Sequence, residues 1–321
     1  MFKKLIIFVR DVLDALWAIG GGLFATAWWI GLLFKDRYPL TQLLFFIPPL
    51  VMIVFGFFWL YLTLPKRFRL LQLFLFLSVF AAFGKMLLID FRWTKAREVD
   101  RPVIRVVHWN TADGILGTES IVSTLTRDQP HIILISEPPR AKELPAMAHY
   151  ALGMEHLLMR GTMTLASHFP LENERAIPMV NGQAWAADAY TLQGPLTIVC
   201  VDLISHPNLN RKDSMNNLAD WLEKNDRYPT IILGDFNTPR DSIAFRPIRK
   251  TFHHAYEAAG RGWPYTWPIP LPLYAIDHAW VSSEIETVAY HLMPTRYSDH
   301  KRQVMDIDLI PAPPSEPAQK P

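Results

Sequence analysis

Five short polar groups adjoin apolar runs in this chain: His108-Trp109-Asn110, Ser136-Glu137-Pro138, Ser205-His206-Pro207, Gly234-Asp235-Phe236-Asn237 and Ser298-Asp299-His300. Carboxylate and amide oxygens are the donors that a hard divalent cation such as Mg²⁺ or Mn²⁺ prefers. Imidazole and amide N–H groups can donate to the non-bridging oxygens of a phosphate as charge builds up on them. The combination suits metal-assisted attack on phosphorus. Singly, each group has an ordinary explanation: Glu137 before two prolines is a turn residue, Gly234-Asp235 a strand-end turn, and His206 a surface histidine. What argues for chemistry is their shared placement at the ends of apolar strands.

The elements that must position these groups are short β-rich runs bounded by Gly, Pro, Asn and Asp. Val103 to Trp109, Ile132 to Ser136, Leu196 to Leu203, Thr230 to Leu233 and His278 to Val281 are mostly apolar with little alternation, as strands buried on both faces are. Val304 to Leu309 alternates and follows the last polar group. Glu119 to Arg127 and Asp213 to Lys224 are predicted helices, the second with Leu218, Trp221 and Leu222 on one face. This mixture predicts a layered α/β domain over 101–310, in which strand ends meet at one rim and bring distant residues together. Arg261 to Leu273, with Pro264, Pro268, Pro270 and Pro272, is expected to be an ordered loop over one edge. Its Trp263, Tyr265 and Trp267 either cover a substrate or pack on the sheet edge. His253-His254 is a weak metal candidate, because adjacent side chains diverge. The Pro-rich tail 311–321 is expected to be disordered.

With these residues in view, the chain from Val103 to Leu309 resembles the endonuclease/exonuclease/phosphatase superfamily, also called DNase I-like. The family's order is an Asn after the first strand, a Glu after the second, a middle His, a Gly-Asp-x-Asn segment, an Asp before a hydrophobic strand and a terminal Ser-Asp-His. Asn110, Glu137, His206, Gly234-Asp235-Phe236-Asn237, Asp277 and Ser298-Asp299-His300 follow that order, and Gly161 to Pro170 looks like the family's segment between Glu and middle His. The implied fold is a four-layer α/β sandwich, two mixed sheets face to face with helices outside. The implied reaction is attack of water on phosphorus, with Mg²⁺ or Mn²⁺ stabilising the oxygens. On that resemblance Glu137 is the expected metal ligand, with Asn110 beside it and Asp299 as a further ligand or orienting group. Asp235 would orient and deprotonate the water, and Asn237 would hold it or a phosphate oxygen. His300 would contact the scissile phosphate with Asp277 fixing its tautomer, and His206 would donate to a phosphate oxygen or help the leaving group. Three positions depart from the family's habits: Ser136 where many members have Gln, His168 where Arg is frequent, and Ala275 where Arg or Lys is common. The last two leave open how the substrate's anionic groups are held. His108, His131, His278 and His291 have no family counterpart and are read as structural.

The first third of the chain is different in kind. Half of all residues are hydrophobic and only 19% are charged, and the excess lies almost wholly before Asp90. Ala15 to Phe34 and Leu43 to Leu64 carry no charge, and as helices at about 1.5 Å per residue each crosses roughly the 30 Å of a bilayer core. Leu70 to Ile89, with Gln72 inside and Lys85 near its end, is the weakest of three candidate spans. The expectation is a multi-pass membrane region over 1–97. Lys3, Lys4, Arg10, Lys66, Arg67 and Arg69 suggest cytoplasmic flanks, which with three spans puts the C-terminal domain in the periplasm or outside the cell; Arg92, Lys95 and Arg97 oppose this.

Composition narrows the function classes. Cys200 is the only cysteine, which excludes an intrachain disulfide and a cysteine-based metal site. A net charge of +2 and the lack of a basic, aromatic-interleaved stretch disfavour nucleic acid as the partner. The leading expectation is a membrane-anchored bacterial phosphohydrolase working at the lipid bilayer on a phosphate-containing, lipid-linked substrate, similar to the superfamily's VanJ-type subgroup with N-terminal spans. The alternatives are a Mg-dependent nuclease, a phospholipase C-like enzyme of the sphingomyelinase type, and a non-catalytic membrane interaction module.

Overall fold

A computed structural model describes residues 2–63, 68–94, 102–115, 117–139, 149, 152–225 and 227–310; the tail 311–321 lies outside the described residues. The chain divides into two units, Met1–Arg92 with Pro207–Asn210, and Trp93–His206 with Arg211–Pro321.

In the larger unit the apolar runs form strands β1 (Ile104–Asn110), β2 (Ile132–Ser136), β3 (His156–Arg160), β4 (Met163–Ser167), β5 (Leu171–Ile177), β6 (Gly182–Thr191), β7 (Gly194–Leu203), β8 (Thr230–Asp235), β9 (Phe252–His254), β10 (Asp277–Ser282), β11 (Ile285–Met293) and β12 (Arg302–Leu309). They make two six-stranded sheets, in the orders β11-β12-β1-β2-β4-β3 and β9-β10-β8-β7-β6-β5. Side chains alternate across each strand. Ile104 and Val106, Ile132 and Leu134, Ile198 and Cys200, Ile231 and Leu233, and Ala279 and Val281 meet between the sheets. The intervening residues Val107, Trp109, Ile133 and Ile135 pack on Ile121 and Leu125 of helix α5 (Thr118–Asp128). On the other side Val199, Val201 and Ile232 pack on Met215, Leu218 and Leu222 of helix α6 (Lys212–Lys224), whose apolar residues recur at helical spacing. Helix, sheet, sheet and helix are the four layers that the resemblance implied.

Two parallel pairs lie inside this mixed sandwich, β1 with β2 and β7 with β8. In both pairs the strands end together: Asn110 stands opposite Ser136, and Asp202 opposite Asp235. β10 starts antiparallel to β8 with Asp277 opposite Asp235. The close approach of β8 to β7 requires Gly234, which sits at φ 149°, where a Cβ would overlap Val201 O.

The smaller unit is helical: α1 (Phe2–Phe34), α2 (Pro39–Phe45), α3 (Pro49–Thr63) and α4 (Arg69–Gly84), the last continuing as a π-helical turn to Asp90. Trp28, Met52, Ile53, Leu75 and Val79 form its core. Gln42 Nε2 donates to Pro207 O and, at 2.8 Å, to Leu209 O, which is why Pro207–Asn210 counts with the helices. Two expectations need correction. The second candidate span, Leu43 to Leu64, is not one straight helix: Pro48-Pro49 removes two N–H donors, and α2 and α3 meet at a 76° bend. The third stretch is stronger than its Gln and Lys suggested. Gln72 bonds Thr63 O, and Lys85 pairs with Asp90 at 3.0 Å, so its polar groups are internally matched. Two helices, Phe2–Arg37 and Arg69–Asp90, are long and apolar enough to cross a membrane, or three if the bent pair is one span.

Candidate active site

The alternation that builds the core also builds the site. Continuing two residues beyond Val106, Leu134, Cys200 and Leu233, the positions facing between the sheets become His108, Ser136, Asp202 and Asp235, and Asp277 precedes Ala279 in the same sense. The apolar interior therefore ends in a polar cluster at one edge. Asn110 joins it: its Nδ2 donates to Glu137 Oε1 at 3.1 Å and to Asp235 Oδ2 at 3.0 Å, while its Oδ1 accepts from Ala112 N. Glu137 itself is held at φ 45°, unusual for a residue with a Cβ, by bonds from its N to Thr162 O and to its O from Asp113 N and Thr111 Oγ1. Asn237, also at positive φ, donates from N to Asp235 Oδ1 at 2.8 Å and from Nδ2 to Leu203 O at 2.7 Å, tying the turn after β8 to the end of β7. Ser298 Oγ donates to Asn110 O and accepts from His300 N, which brings the last polar group to β1. His300 Nδ1 lies 2.9 Å from Asp277 Oδ2, and its Nε2 lies 4.0 Å from Asp235 Oδ2.

Burial and charge act against each other here. Burial opposes the imidazolium of His300, but the Asp277 carboxylate and its hydrogen bond, with Asp235 and Asp299 behind, raise its pKa to about 10. Burial likewise opposes ionisation of Asp277, and the charge and hydrogen bond of His300 hold it below the usual carboxylate range. Asp235 moves the other way. Burial, then the neighbouring Asp277 charge, pushes it well above that range. Asp202 is pushed up to about 6 by burial, with Glu137 and Asp277 adding to the effect against a hydrogen bond from Thr162.

Compared with known families, residues 107–300 match the Endonuclease/Exonuclease/phosphatase family, more than half of the chain. The chain belongs to that family. Comparison with curated proteins finds no match. Among solved structures it is similar to an endonuclease/exonuclease/phosphatase of Beutenbergia cavernae, at 17% identity and a TM-score of 0.55, covering 67% of this chain and 74% of that one. It is also similar to a 3′ phosphatase from Neisseria bound to a product DNA hairpin (16% identity, TM-score 0.51, covering 64% and 99%) and to a mannosyl-6-phosphatase of Bacteroides thetaiotaomicron (14%, 0.51, 64% and 100%). At these identities the likeness is one of fold.

Against the family pattern, the structure brings Asn110, Glu137, Asp235, Asn237, Asp277 and His300 together. Asp299 stands at the exposed rim, accepting from Trp267 Nε1 at 2.7 Å, with its charge still acting on His300. His206 is exposed three residues beyond β7, its carbonyl accepting from Arg211, and the strand-end position facing Asp235 belongs to Asp202. Asp202 escaped the sequence reading because it lies within an apolar run, yet a lone carboxylate in Val-Cys-Val-Asp-Leu was itself a signal. The Pro-rich segment has, apart from the two-residue strand Arg261–Gly262, the loop conformation expected, and the Trp267 ring lies 6.4 Å from that of His300, tilted by 44°, rather than on a remote edge. His253 points out and His254 in, so the pair cannot share an ion.

The donor set fits a divalent metal. Glu137, Asp202, Asp235 and Asp277 supply carboxylate oxygens, the donors a hard divalent cation prefers, with the His300 imidazolium beside them. Asp235, Asp277 and His300 have ligand atoms within 4.8 Å of one another. Of these, His300 is the poorest ligand, because the proton on its Nδ1 is committed to Asp277 and the ring is cationic. The carboxylates on the Glu137 side are the better place for a cation.

Proposed function

We propose that this protein is a membrane-anchored, divalent-metal-dependent phosphohydrolase of the VanJ type, acting on a phosphate ester or pyrophosphate carried by a lipid. The observation that carries the catalytic part is the buried Asp277–His300 pair facing Asp235, itself joined through Asn110 to Glu137. Bound at Glu137 and the adjoining carboxylates, Mg²⁺ or Mn²⁺ supplies Lewis-acid stabilisation of the phosphate oxygens. The protein's own groups do the rest. The imidazolium of His300 donates from Nε2 to a non-bridging oxygen, and Asp277 keeps that ring charged and oriented. Asp235, facing His300 Nε2 at 4.0 Å and held by Asn110 and Asn237, takes a proton from the attacking water. The water oxygen bonds to phosphorus as the bond to the leaving oxygen breaks, and the electron pair departs on that oxygen. A pyrophosphate needs little acid assistance at that point, because its leaving group is already a phosphate. Asn237 holds Asp235 in line from its backbone N–H.

The lipid part rests on the apolar N-terminal helices, long enough to cross a membrane. Trp267 beside His300 can pack a lipid tail or stack on a base, so substrate identity is decided by assay. Full-length protein in detergent with Mg²⁺ or Mn²⁺ should release phosphate from a polyprenyl pyrophosphate in preference to sphingomyelin, phosphoinositides or plasmid DNA. Preferential cutting of DNA would replace this reading with the nuclease. We place the catalytic domain outside the cytoplasm, as three spans from a basic N-terminus require. Alkaline phosphatase fused after Pro321 should be active and green fluorescent protein dark; the reverse would return the domain to the cytoplasm and leave two spans, with the bent α2–α3 pair re-entrant.

A further inference from the structure

Behind His300, on the side of Asp277 away from the reaction, stands a histidine with no family counterpart. His108 is fully buried on β1, two residues before Asn110, on the strand face that looks between the sheets. Its Nε2 lies 3.1 Å from Ser136 Oγ, and its Nδ1 lies 4.0 Å from Asp277 Oδ1. These last two atoms are both buried and neither has a hydrogen-bond partner, while the other oxygen of the same carboxylate is bound to His300. A buried polar atom left unpaired is costly, and two of complementary kind facing each other are matched by a movement of about 1 Å.

The contacts settle which nitrogen carries the proton. Asp277 Oδ1 is a carboxylate oxygen and can only accept, so the nitrogen facing it is Nδ1–H, and Nε2 accepts from the Ser136 hydroxyl. The resulting chain runs Ser136, His108, Asp277, His300. Ser136 is one of the positions where this sequence departs from the family's habit of Gln, and it is the residue next to Glu137.

We propose that His108 is a positioning residue: its Nδ1–H holds the far oxygen of Asp277, fixing the plane of the carboxylate that orients His300 and linking it through Ser136 to the strand that carries Glu137. With both oxygens held, the Asp277 carboxylate cannot rotate away, and His300 Nε2 stays aimed at the space before Asp235. Gln303, opposite His108 in register and buried with its amide unpartnered, lines the same interior. The inference rests on the phosphohydrolase reading for its kinetic consequence, though not for its geometry.

The test uses full-length protein in detergent with Mg²⁺ and bis(p-nitrophenyl) phosphate, comparing wild type with His108→Leu, His108→Asn and Ser136→Ala. Outer partners of this kind are worth about 10- to 100-fold. His108→Leu should lower kcat by roughly that factor with KM changed less than about 3-fold. His108→Asn, which keeps an N–H near the place of Nδ1, should recover most of the loss. Ser136→Ala, the mildest change, should cost about 3- to 10-fold and keeps the comparison alive if His108→Leu does not fold. Independently of turnover, ¹⁵N-histidine NMR should show the His300 Nδ1 proton moved in His108→Leu and restored in His108→Asn. A resonance unmoved in every variant, or an Asn variant no better than Leu, overturns the proposal. A wild type inactive on every phosphoester would sink the phosphohydrolase reading instead and leave the resonance to decide the role of His108.

Discussion

In the helical unit, large apolar side chains such as Phe57, Leu73, Phe76 and Phe80 face outward, and the polar groups inside bond close at hand. Hydroxyls bond one turn back on their own helix, Ser78 Oγ to Phe74 O and Thr63 Oγ1 to Trp59 O, and one indole, Trp29 Nε1, crosses to Ser78 Oγ on another helix. The sandwich does the reverse, with its apolar residues between the layers and a cluster of buried charges at one end, whose members come from different strands. Asn110 reaches Glu137 and Asp235, and His300 reaches Asp277. A helix apolar enough to cross a membrane must satisfy its backbone polar groups within itself. Where water is the solvent, burial can be concentrated, and charges can be brought into a low-dielectric site as long as they answer one another.

The comparison breaks most sharply at Glu137. Glu137→Gln should abolish phosphate release at saturating Mg²⁺ while circular dichroism stays unchanged, since a hard anionic donor is lost at nearly constant volume. Retained turnover would remove Glu137 from the metal site. Asp235→Asn and His300→Ala should each lower kcat by about 10²- to 10⁴-fold, the usual worth of a general base or a positioned donor, and a loss confined to KM would contradict these roles.

The helical side is tested by Phe80→Asp on the outward face of α4, where the side chain is 69% exposed. In a bilayer a central Asp costs about 2.5 to 3.5 kcal/mol, so membrane-fraction yield should fall. Unchanged yield would mean that this face meets water.

A pH titration sharpens the sandwich side. The folded pKa of His300 is about 10 against an ordinary 6.5, so the stabilisation from its pairing is complete below pH 6.5 and is lost as pH rises through about 10. Protein freed of metal by chelation should lose about 2 kcal/mol, roughly 4 to 8 °C in Tm, across that window. Asp277→Asn should flatten the slope; an equally steep loss in that variant would assign it to another group. The smallest effect is expected at Ser78→Ala, about 0.6 kcal/mol, read by thermal unfolding in detergent, because Trp29 loses one partner inside an already packed helix bundle.

Most strands of the sandwich were legible because apolar runs ending in Gly, Asn or Asp are strongly patterned. β1, β2, β7, β8 and β10 fall within two residues of the runs read from sequence, and α5 and α6 within one. Less legible were the edge strands β3, β5 and β11, where polar residues such as Arg160, Glu172 and Glu286 break the apolar signal, and β6, which is buried but rich in Ala rather than β-branched residues. In the site, Asn110, Glu137, Asp235, Asn237, Asp277 and His300 were found from motif order, whereas Asp202 and His108 were passed over. Both are inner-face residues at strand ends, and that parity becomes visible only when the sheets are stacked.

Residue type and spacing by themselves determined that an apolar, membrane-compatible third precedes a layered α/β domain, and that acids, amides and imidazoles stand where its strands end. These follow from local periodicity and chain chemistry. How they are arranged was decided by tertiary structure: Asp299 is at the rim against Trp267, His206 lies beyond the strand end, and Asp202 stands opposite Asp235. The protonation states were decided there as well. Asp235 and Asp277 are both buried aspartates at the ends of adjacent strands, and one is pushed up while the other is held down because His300 donates to Asp277 alone. The charge of His300 and its hydrogen bond across 23 residues favour ionised Asp277, and that geometry exists only once the sheets have closed on each other.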